Sequence, residues 1–365
     1  MNLPHTITNI PMRPLRVLVL ILCASCASGA RTQPGADPRP PVAALRDSFV
    51  VVNGVRLHYR DWGGRGEPVL LLAGLGNTAR IYDGFAPGLA RDFRVLAVTR
   101  RGHGRSEMPE SGYALDTLVA DLRAFMDAAG IARAHLVGHS LAGAELTRFA
   151  ALHPGRVGKL VYLDAAYDRS TQGPVFEQDP IEQTGPTPAD RASVESYLAF
   201  ARRTRLDLAR YWTPPVIADV TENLAAQPDG TVAWRTPGPV FGAIIGGVST
   251  AAPEYDRVRA PALAIYSVEN EDYLLPDDAT PELRAAHARF QAEVLGGWRR
   301  QSMEQFRAGV RDGRVVEMDA GHHLFVHRPG EVLQLVRDFL RDGRRLPRHG
   351  PSPRHRDPAG AVNRV

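Results

Sequence analysis

Short apolar segments alternate with amphipathic segments along most of the chain. The first two, Phe49–Val52 and Val55–Tyr59, flank Asn53-Gly54, a dipeptide that favours a β-hairpin. Six further apolar segments have the length of buried strands: Val69–Ala73, Val95–Val98, His135–Val137, Lys159–Leu163, Ala262–Tyr266 and Val315–Met318. Segments with helical spacing, such as Leu115–Ala129, lie between them. The pattern predicts an α/β fold with an eight-stranded, mostly parallel sheet and helices on both faces.

One interval interrupts this alternation. From Tyr167 to Arg257, about 90 residues with many prolines separate two neighbouring apolar segments. A structureless loop of that length is uncommon in a compact domain. We therefore predict a helical cap over residues 167–258, inserted after the sixth strand between two core parts, residues 48–166 and 259–340. Ligands of open α/β sheets bind at the carboxyl ends of the strands, where such a cap would lie.

The two chain ends differ from the body. Residues 17–23 form a short apolar run after Arg13 and Arg16, and small residues follow through Ala30. This arrangement is typical of a secretory signal peptide, so we predict that residues 1–30 are removed and the protein is exported, periplasmic or secreted. An alternative is a lipid anchor on Cys26. Residues 31–47 are predicted to be a linker, and residues 341–365 a disordered basic tail.

Charge and cysteine content narrow the function classes. The net charge is +4, but residues 1–40 carry +3 and residues 341–365 carry +5, which leaves the intervening body at −4. A mildly acidic body argues against nucleic-acid binding. Both cysteines, Cys23 and Cys26, lie in the predicted leader. The mature chain would therefore contain no disulfide, no thiolate nucleophile and no cysteine-based zinc site.

A candidate nucleophile follows the His135–Val137 strand. The sequence there is Gly138-His139-Ser140-Leu141-Ala142-Gly143, and a helical pattern continues to Leu152. A serine between small residues at a strand-to-helix turn is typical of a nucleophile elbow. The following helix directs its free N–H groups towards the reacting centre. Ala142 departs from the usual Gly-x-Ser-x-Gly pattern but is small enough for the turn.

Four motifs occur in order: Ala73-Gly74-Leu75-Gly76, Arg101–Ser106, the Ser140 elbow, and Gly321-His322 before Pro329. Together they resemble the α/β-hydrolase superfamily over about residues 48–340, although Ala73 and Thr99 replace a usual His and Asp. The resemblance implies that Ser140 is the nucleophile and His322 the base, with His323 and then His327 as competitors. It also implies that the backbone amides of Leu75 and Leu141 form the oxyanion hole. We interpret the Arg101–Ser106 run as a structural turn.

The acid of the triad is left open by the sequence. In most members it follows the strand that corresponds to Ala262–Tyr266, but the aligned position is Asn270, beside Glu269, Glu271 and Asp272. The other family arrangement places the acid after the preceding strand, where Asp164 stands. We favour Asp164 and keep Asp272, or a neighbouring glutamate, as the alternative.

These residues predict a serine hydrolase that cleaves a carboxylic ester or a lactone through an acyl-enzyme. Its partner would be a small-molecule acyl substrate, with no cofactor, no metal site, no nucleic acid and no transmembrane span. Cleavage of a carbon–carbon or amide bond by the same triad is an alternative. A ligand-binding protein with little turnover is another alternative, which the missing acid at position 270 would suit.

Overall fold

The computed structural model describes residues 45–181, 185–204, 206–268, 275 and 279–342. Its central feature is an eight-stranded sheet with the strand order β1-β2-β4-β3-β5-β6-β9-β10. The strands are β1 (Arg46–Val52), β2 (Val55–Gly63), β3 (Pro68–Leu72), β4 (Arg94–Val98), β5 (Ala134–His139), β6 (Val157–Leu163), β9 (Ala262–Ser267) and β10 (Gly313–Met318). β2 pairs antiparallel with β1 and β4, and the pairs from β4 to β10 are parallel. The predicted hairpin and mostly parallel sheet are confirmed.

Helices follow most strands. In the core they are α1 (Ala86–Leu89), α2 (Leu115–Ala128), α3 (Ala142–Leu152), α9 (Pro281–Arg289), α10 (Gly296–Gly309), α11 (Leu324–His327) and α12 (Pro329–Arg341). A π-helical stretch, Phe290–Leu295, joins α9 to α10. Between β6 and β9 lie α4 (Gln172–Phe176), α5 (Val194–Thr204), α6 (Leu206–Ala209), α7 (Pro214–Glu222), α8 (Gly238–Val248) and a small hairpin of β7 (Leu224–Ala226) and β8 (Val232–Trp234).

The central strands are apolar on both faces because both faces are covered. In β3, Val69 and Leu71 join one buried cluster, which includes side chains of α1 and α12. Leu70 and Leu72 join the other, which includes side chains of α2, α3 and α10. Alternating side chains of a strand point to opposite faces. A strand buried on both faces therefore has the uninterrupted apolar run from which β3 was predicted.

The crevice for a ligand follows from the strand order. β3 lies between β4 and β5 in the sheet. The chain passes from β3 to its neighbour on one side, β4, and then crosses to its neighbour on the other side, β5. The strand order therefore reverses at β3, and open sheets bind ligands at the carboxyl edge beside such a reversal. We call residues 167–258 the cap segment. Its Asp219 accepts a 2.7 Å hydrogen bond from Asn77, and its Thr236 donates to the Gly102 carbonyl at 2.5 Å, so it contacts the loops after β3 and β4.

The element ends differ slightly from the predicted boundaries. β1 begins at Arg46, three residues before the predicted Phe49, and its Asp47 forms ion pairs with Arg60 at 2.6 Å and Arg80 at 3.0 Å. α12 continues to Arg341, which forms an ion pair with Asp92. The predicted signal peptide, Cys26 and most of the predicted tail lie outside the described residues. Among the helices that are described, none is long and apolar enough to span a bilayer.

Candidate active site

Ser140 stands at the turn between β5 and α3. Its backbone has a φ of +54°, a left-handed conformation that a residue with a side chain adopts at a cost of about 1–2 kcal/mol. The turn is held by a 3.2 Å hydrogen bond from the Ser140 amide to the Leu163 carbonyl. The strained turn expected of a nucleophile elbow is therefore present at this residue.

Close backbone approach explains the small residues around Ser140. A Cβ on Gly143 would lie 1.9 Å from the carbonyl oxygen of Ala165, so only glycine fits there. A Cβ on Gly138 would lie 3.2 Å from the Cβ of Ala142. Ala142 itself is fully buried in the first turn of α3. The elbow thus accommodates an alanine at the usual glycine position, and the tightest approach falls one residue later.

His322 lies in the loop between β10 and α11. Its Nε2 is 2.9 Å from the Ser140 Oγ, and 33% of its side chain is exposed, so the pair is accessible to a ligand. His139 donates from Nε2 to the backbone carbonyl of His322 at 3.1 Å. Burial, together with the neighbouring histidines, keeps the pKa of His139 well below its ordinary value. A neutral His139 therefore helps to hold the His322 loop in place.

Asp164 follows β6 and also has a left-handed backbone, with a φ of +47°. Its Oδ2 is 2.6 Å from the His322 Nδ1. Its Oδ1 accepts hydrogen bonds from the Tyr167 hydroxyl at 2.6 Å and the Ser267 amide at 3.0 Å. Burial alone would raise the pKa of Asp164, but the hydrogen bonds from His322 and Tyr167 hold that pKa below its ordinary value. The carboxylate is therefore ionised and directed at the imidazole.

The other candidate histidines do not bond to Ser140. His323 is buried, with its Nε2 3.2 Å from the Asn77 Oδ1. His327 accepts a 3.0 Å hydrogen bond from the Gly321 amide and stacks on Tyr211. Of the alternative acids, Glu269, Glu271 and Asp272 lie outside the described residues, as does Asn270. Within the described part of the chain, Ser140, His322 and Asp164 are brought together.

Leu75 and Leu141, the candidate oxyanion donors, flank the nucleophile. Leu141 directly follows Ser140, and Leu75 lies in the loop after β3. That loop comes very close to the elbow, since a Cβ on Gly74 would lie 3.0 Å from the Cβ of Ser140. In the part of the chain that is described, neither amide donates to a backbone carbonyl. Both N–H groups therefore stay candidates for binding an oxyanion at Ser140.

The surroundings of these two leucines are apolar. Leu141 is buried in a cluster with Tyr113, Leu118 and two side chains of α8, Ile244 and Val248. Leu75 packs against the same cluster. Phe241 of α8 and Trp234 of β8 approach Gly76 to within 3.7–3.9 Å of where a Cβ would be. The cap segment therefore supplies an apolar surface beside the candidate oxyanion site.

Sequence analysis missed three polar side chains that support this site. Tyr167 contacts the acid, and Arg100 on the β4 loop is paired with Glu145 of α3 at 2.7 Å. The sequence contains little indication of a role for Arg100, because two adjacent arginines after a buried strand are typical of a solvent-exposed turn. Its burial, at 9% exposure, depends on a partner 45 residues further along the chain.

Part of the chain is similar in sequence to known proteins. The family profile described as alpha/beta hydrolase fold matches residues 67–238. A non-heme chloroperoxidase from Streptomyces lividans is 40% identical over 116 residues, covering 31% of this chain and 42% of that protein. A putative carbamate hydrolase from Caulobacter segnis is 35% identical over 116 residues, covering 31% of this chain and 43% of that protein. The chain thus matches less than half the length of these curated relatives.

A solved structure matches over a longer range. The enol-lactonase from Burkholderia xenovorans LB400 superimposes with a TM-score of 0.54 at 23% sequence identity. The match covers 81% of this chain and 100% of that one. At this level of identity the likeness concerns the fold alone.

Proposed function

We propose that this chain, part of which matches the alpha/beta hydrolase fold profile, is an exported serine hydrolase that cleaves a carboxylic ester or a lactone. One observation carries the proposal. Hydrogen bonds run without interruption from the Ser140 Oγ to the His322 Nε2, 2.9 Å, and from the His322 Nδ1 to the Asp164 Oδ2, 2.6 Å. A serine hydroxyl becomes a competent nucleophile when an adjacent base, itself oriented by a third group, removes its proton during attack.

In the first half of the proposed reaction, Ser140 attacks the substrate carbonyl carbon while His322 accepts the hydroxyl proton at Nε2. The carbonyl oxygen becomes an oxyanion, which the amides of Leu75 and Leu141 stabilise by hydrogen bonds. Asp164 holds His322 in the tautomer with a proton on Nδ1 and stabilises the imidazolium that forms. The intermediate then collapses, and His322 gives its proton to the leaving alkoxide as the bond from carbon to oxygen breaks.

In the second half, a water molecule replaces the leaving group. His322 takes a proton from the water as its oxygen attacks the acyl-enzyme carbon, and the same two amides stabilise the second oxyanion. When the bond to Ser140 breaks, His322 returns the proton to the serine oxygen, and the carboxylic acid leaves. A lactone follows the same steps and yields a hydroxy acid.

The apolar surface formed by α8 beside Leu141 supports a substrate with an apolar acyl group, since moving such a group from water to an apolar surface lowers the free energy. The relation to a putative carbamate hydrolase gives further support. Carbamate cleavage, like ester cleavage, is nucleophilic attack at a carbonyl carbon. Esters and lactones are favoured over amides because an alkoxide is the easier leaving group.

The test is a panel of compounds with one acyl chain in four linkages: a linear ester, a lactone, an amide and a β-diketone. We expect hydrolysis of the ester or the lactone at least tenfold faster than of the other two. Ser140→Ala is the control and should abolish the activity. Faster cleavage of the amide or of the diketone carbon–carbon bond would replace the proposed reaction by one of those. Tight binding without turnover would favour a ligand-binding protein.

Export is tested separately, by producing the full chain in a bacterial host and measuring the mass of the product in each cell fraction. We expect a periplasmic or secreted protein that begins at Arg31. A membrane-bound product that becomes soluble on Cys26→Ser would indicate a lipid anchor instead. A cytoplasmic product that retains its first 30 residues would contradict export.

A further inference from the structure

Arg100 connects the two elements that carry the candidate oxyanion donors. Its Nη2 donates to the carbonyl of Ala73 at 2.9 Å, and its Nη1 to the carbonyl of Gly74 at 3.4 Å. The same guanidinium is paired with Glu145 of α3, through Nε at 2.7 Å and through Nη2. Both side chains of the pair are buried. One arginine thus joins the loop after β3 to the helix that follows the nucleophile.

The bond to Gly74 matters because of which peptide it holds. The carbonyl of Gly74 and the N–H of Leu75 belong to one planar peptide unit, and in a trans peptide these groups point in opposite directions. Arg100 holds the carbonyl from one side, and the amide of Asn77 donates to it at 3.3 Å. The N–H of Leu75 is therefore turned away from Arg100. A cation on the carbonyl side also polarises the peptide and strengthens its N–H as a donor.

The neighbouring amide is already occupied. The N–H of Gly76 donates to the His103 Nε2 at 3.0 Å. Of these two successive amides, the one that Arg100 orients is the one left for a ligand. The other candidate donor, Leu141, is the residue before α3, and Glu145 lies in the first turn of that helix. The Arg100–Glu145 pair therefore links the loop that carries Leu75 to the helix that follows Leu141.

We propose that Arg100 is a positioning residue of the oxyanion site: it orients and polarises the peptide that carries the Leu75 N–H, and Glu145 keeps it in register with the nucleophile helix. This inference rests on the proposed acyl-transfer function. A buried ion pair is weak as a source of stability, since well-packed apolar side chains often serve as well. The proposed role of the Arg100–Glu145 pair is to fix the orientation of the peptide between Gly74 and Leu75.

The experiment compares two doubly substituted proteins, so that no buried charge is left unpaired. In Arg100→Met/Glu145→Leu the pair is replaced by apolar side chains of similar size. The matched control is Arg101→Met/Asp121→Leu, which removes the adjacent buried pair; its hydrogen bonds of 2.6 Å and 2.8 Å join the loop after β4 to α2 and do not involve the loop after β3. Single-turnover phosphonylation of Ser140 by a fluorophosphonate, in which the serine oxygen displaces fluoride from phosphorus, and steady-state ester hydrolysis are measured for both, with thermal unfolding alongside.

We expect the Arg100 variant to lose about 10²-fold in kcat and in the phosphonylation rate with KM changed by less than threefold, as for loss of an oxyanion donor. The control should stay within threefold in all three, and Arg100→Lys, which keeps the charge but not the fork, should recover part of the rate. Equal losses of rate in both double variants, or an unchanged rate in the Arg100 variant, would overturn the proposed role of Arg100 but not the proposed function. A wild-type protein that is folded but neither reacts with the fluorophosphonate nor hydrolyses the ester would overturn the proposed function and this inference with it.

Discussion

The hydroxyl of Tyr167 donates a 2.6 Å hydrogen bond to Oδ1 of Asp164, which leaves Oδ2 to face His322. The tyrosine ring is itself fixed, since it stacks on Trp298 with a centroid distance of 4.5 Å. Burial and the adjacent carboxylate raise the pKa of Tyr167 well above its ordinary value, so the hydroxyl stays protonated and donates. The carboxylate that orients His322 is thus held by a side chain three residues further along the chain.

Tyr167→Phe should lower kcat about tenfold and move the acid limb of the activity profile to higher pH. The lost hydrogen bond is one of the causes that hold the pKa of Asp164 down. Without it the carboxylate protonates at a higher pH, and activity is lost earlier as the pH falls. The measurement is kcat/KM for ester hydrolysis between pH 4 and pH 9.

Tyr266→Phe is the matched control. Its hydroxyl donates to the Ala166 carbonyl at 2.6 Å, and its ring packs edge-on against Tyr167. It loses a buried hydroxyl of the same kind without touching Asp164, so its acid limb should stay in place. Equal shifts in both variants would mean that Tyr167 acts only through stability.

Asp164→Asn should reduce kcat by about 10³- to 10⁴-fold and leave the fold intact. An amide can donate to the His322 Nδ1, which would stabilise the tautomer that cannot accept the Ser140 proton. The comparison is Asp272→Asn, which replaces the alternative acid. Ester hydrolysis and circular dichroism are measured for both. A large loss in Asp272→Asn with an active Asp164→Asn would transfer the role of acid to the other loop.

Gly143→Ala should destabilise the protein by about 2 kcal/mol or more, because the new Cβ would stand 1.9 Å from the Ala165 carbonyl oxygen. Helix α3 would have to move away from β6, and activity should fall with it. Gly155→Ala is the control, since a Cβ there meets nothing within 4 Å. Urea unfolding gives both values, and equal midpoints for the two variants would contradict the predicted clash.

His103 should make the protein less stable in acid. Burial, together with the charge of Arg100, lowers the pKa of His103 to about 3. An unfolded imidazole titrates near 6.5, so between these values the unfolded state binds more protons. The free energy of unfolding therefore falls as the pH falls, by about 2 kcal/mol from pH 8 to pH 5 for this one group. Protonation would also abolish the acceptor of the Gly76 N–H.

His103→Gln removes the titrating group and keeps an oxygen that can accept from Gly76. The difference in unfolding free energy between wild type and variant should therefore shrink towards acid pH. Urea unfolding at pH 8, pH 6.5 and pH 5 measures it. A constant difference across the three pH values would show that His103 does not titrate in this range.

The elbow could be predicted from the sequence because its physics is local. A strand, a small-residue turn and a helix are consecutive, and each leaves its own pattern around Ser140. Central strands such as β3 and β9 were likewise visible as apolar runs, since strands covered on both faces have no polar positions to interrupt them. β1 and β2 have exposed positions and were predicted from the Asn53-Gly54 turn between their apolar segments. Both predictions needed only neighbouring residues.

The rest of the site depends on residues far apart in the chain. Asp164 and His322 are 158 positions apart, and which loop supplies the acid depends on how the ends of β6 and β9 approach the loop after β10. The burial of Arg100 depends on Glu145, and the apolar surface beside Leu75 depends on the course of the cap segment. No local sequence pattern indicates such long-range contacts. The sequence therefore left two candidate positions for the acid and did not identify Arg100 as part of the site.

The proposed reaction depends on the activation of Ser140 by His322. This activation is tested by labelling the purified protein with a fluorophosphonate, followed by intact-mass measurement, with Ser140→Ala and His322→Ala in parallel. We predict one adduct per chain on the wild type, no adduct on Ser140→Ala, and a rate at least 10³-fold slower on His322→Ala. A folded wild-type protein that takes up no label, or one labelled equally fast without His322, would contradict the account.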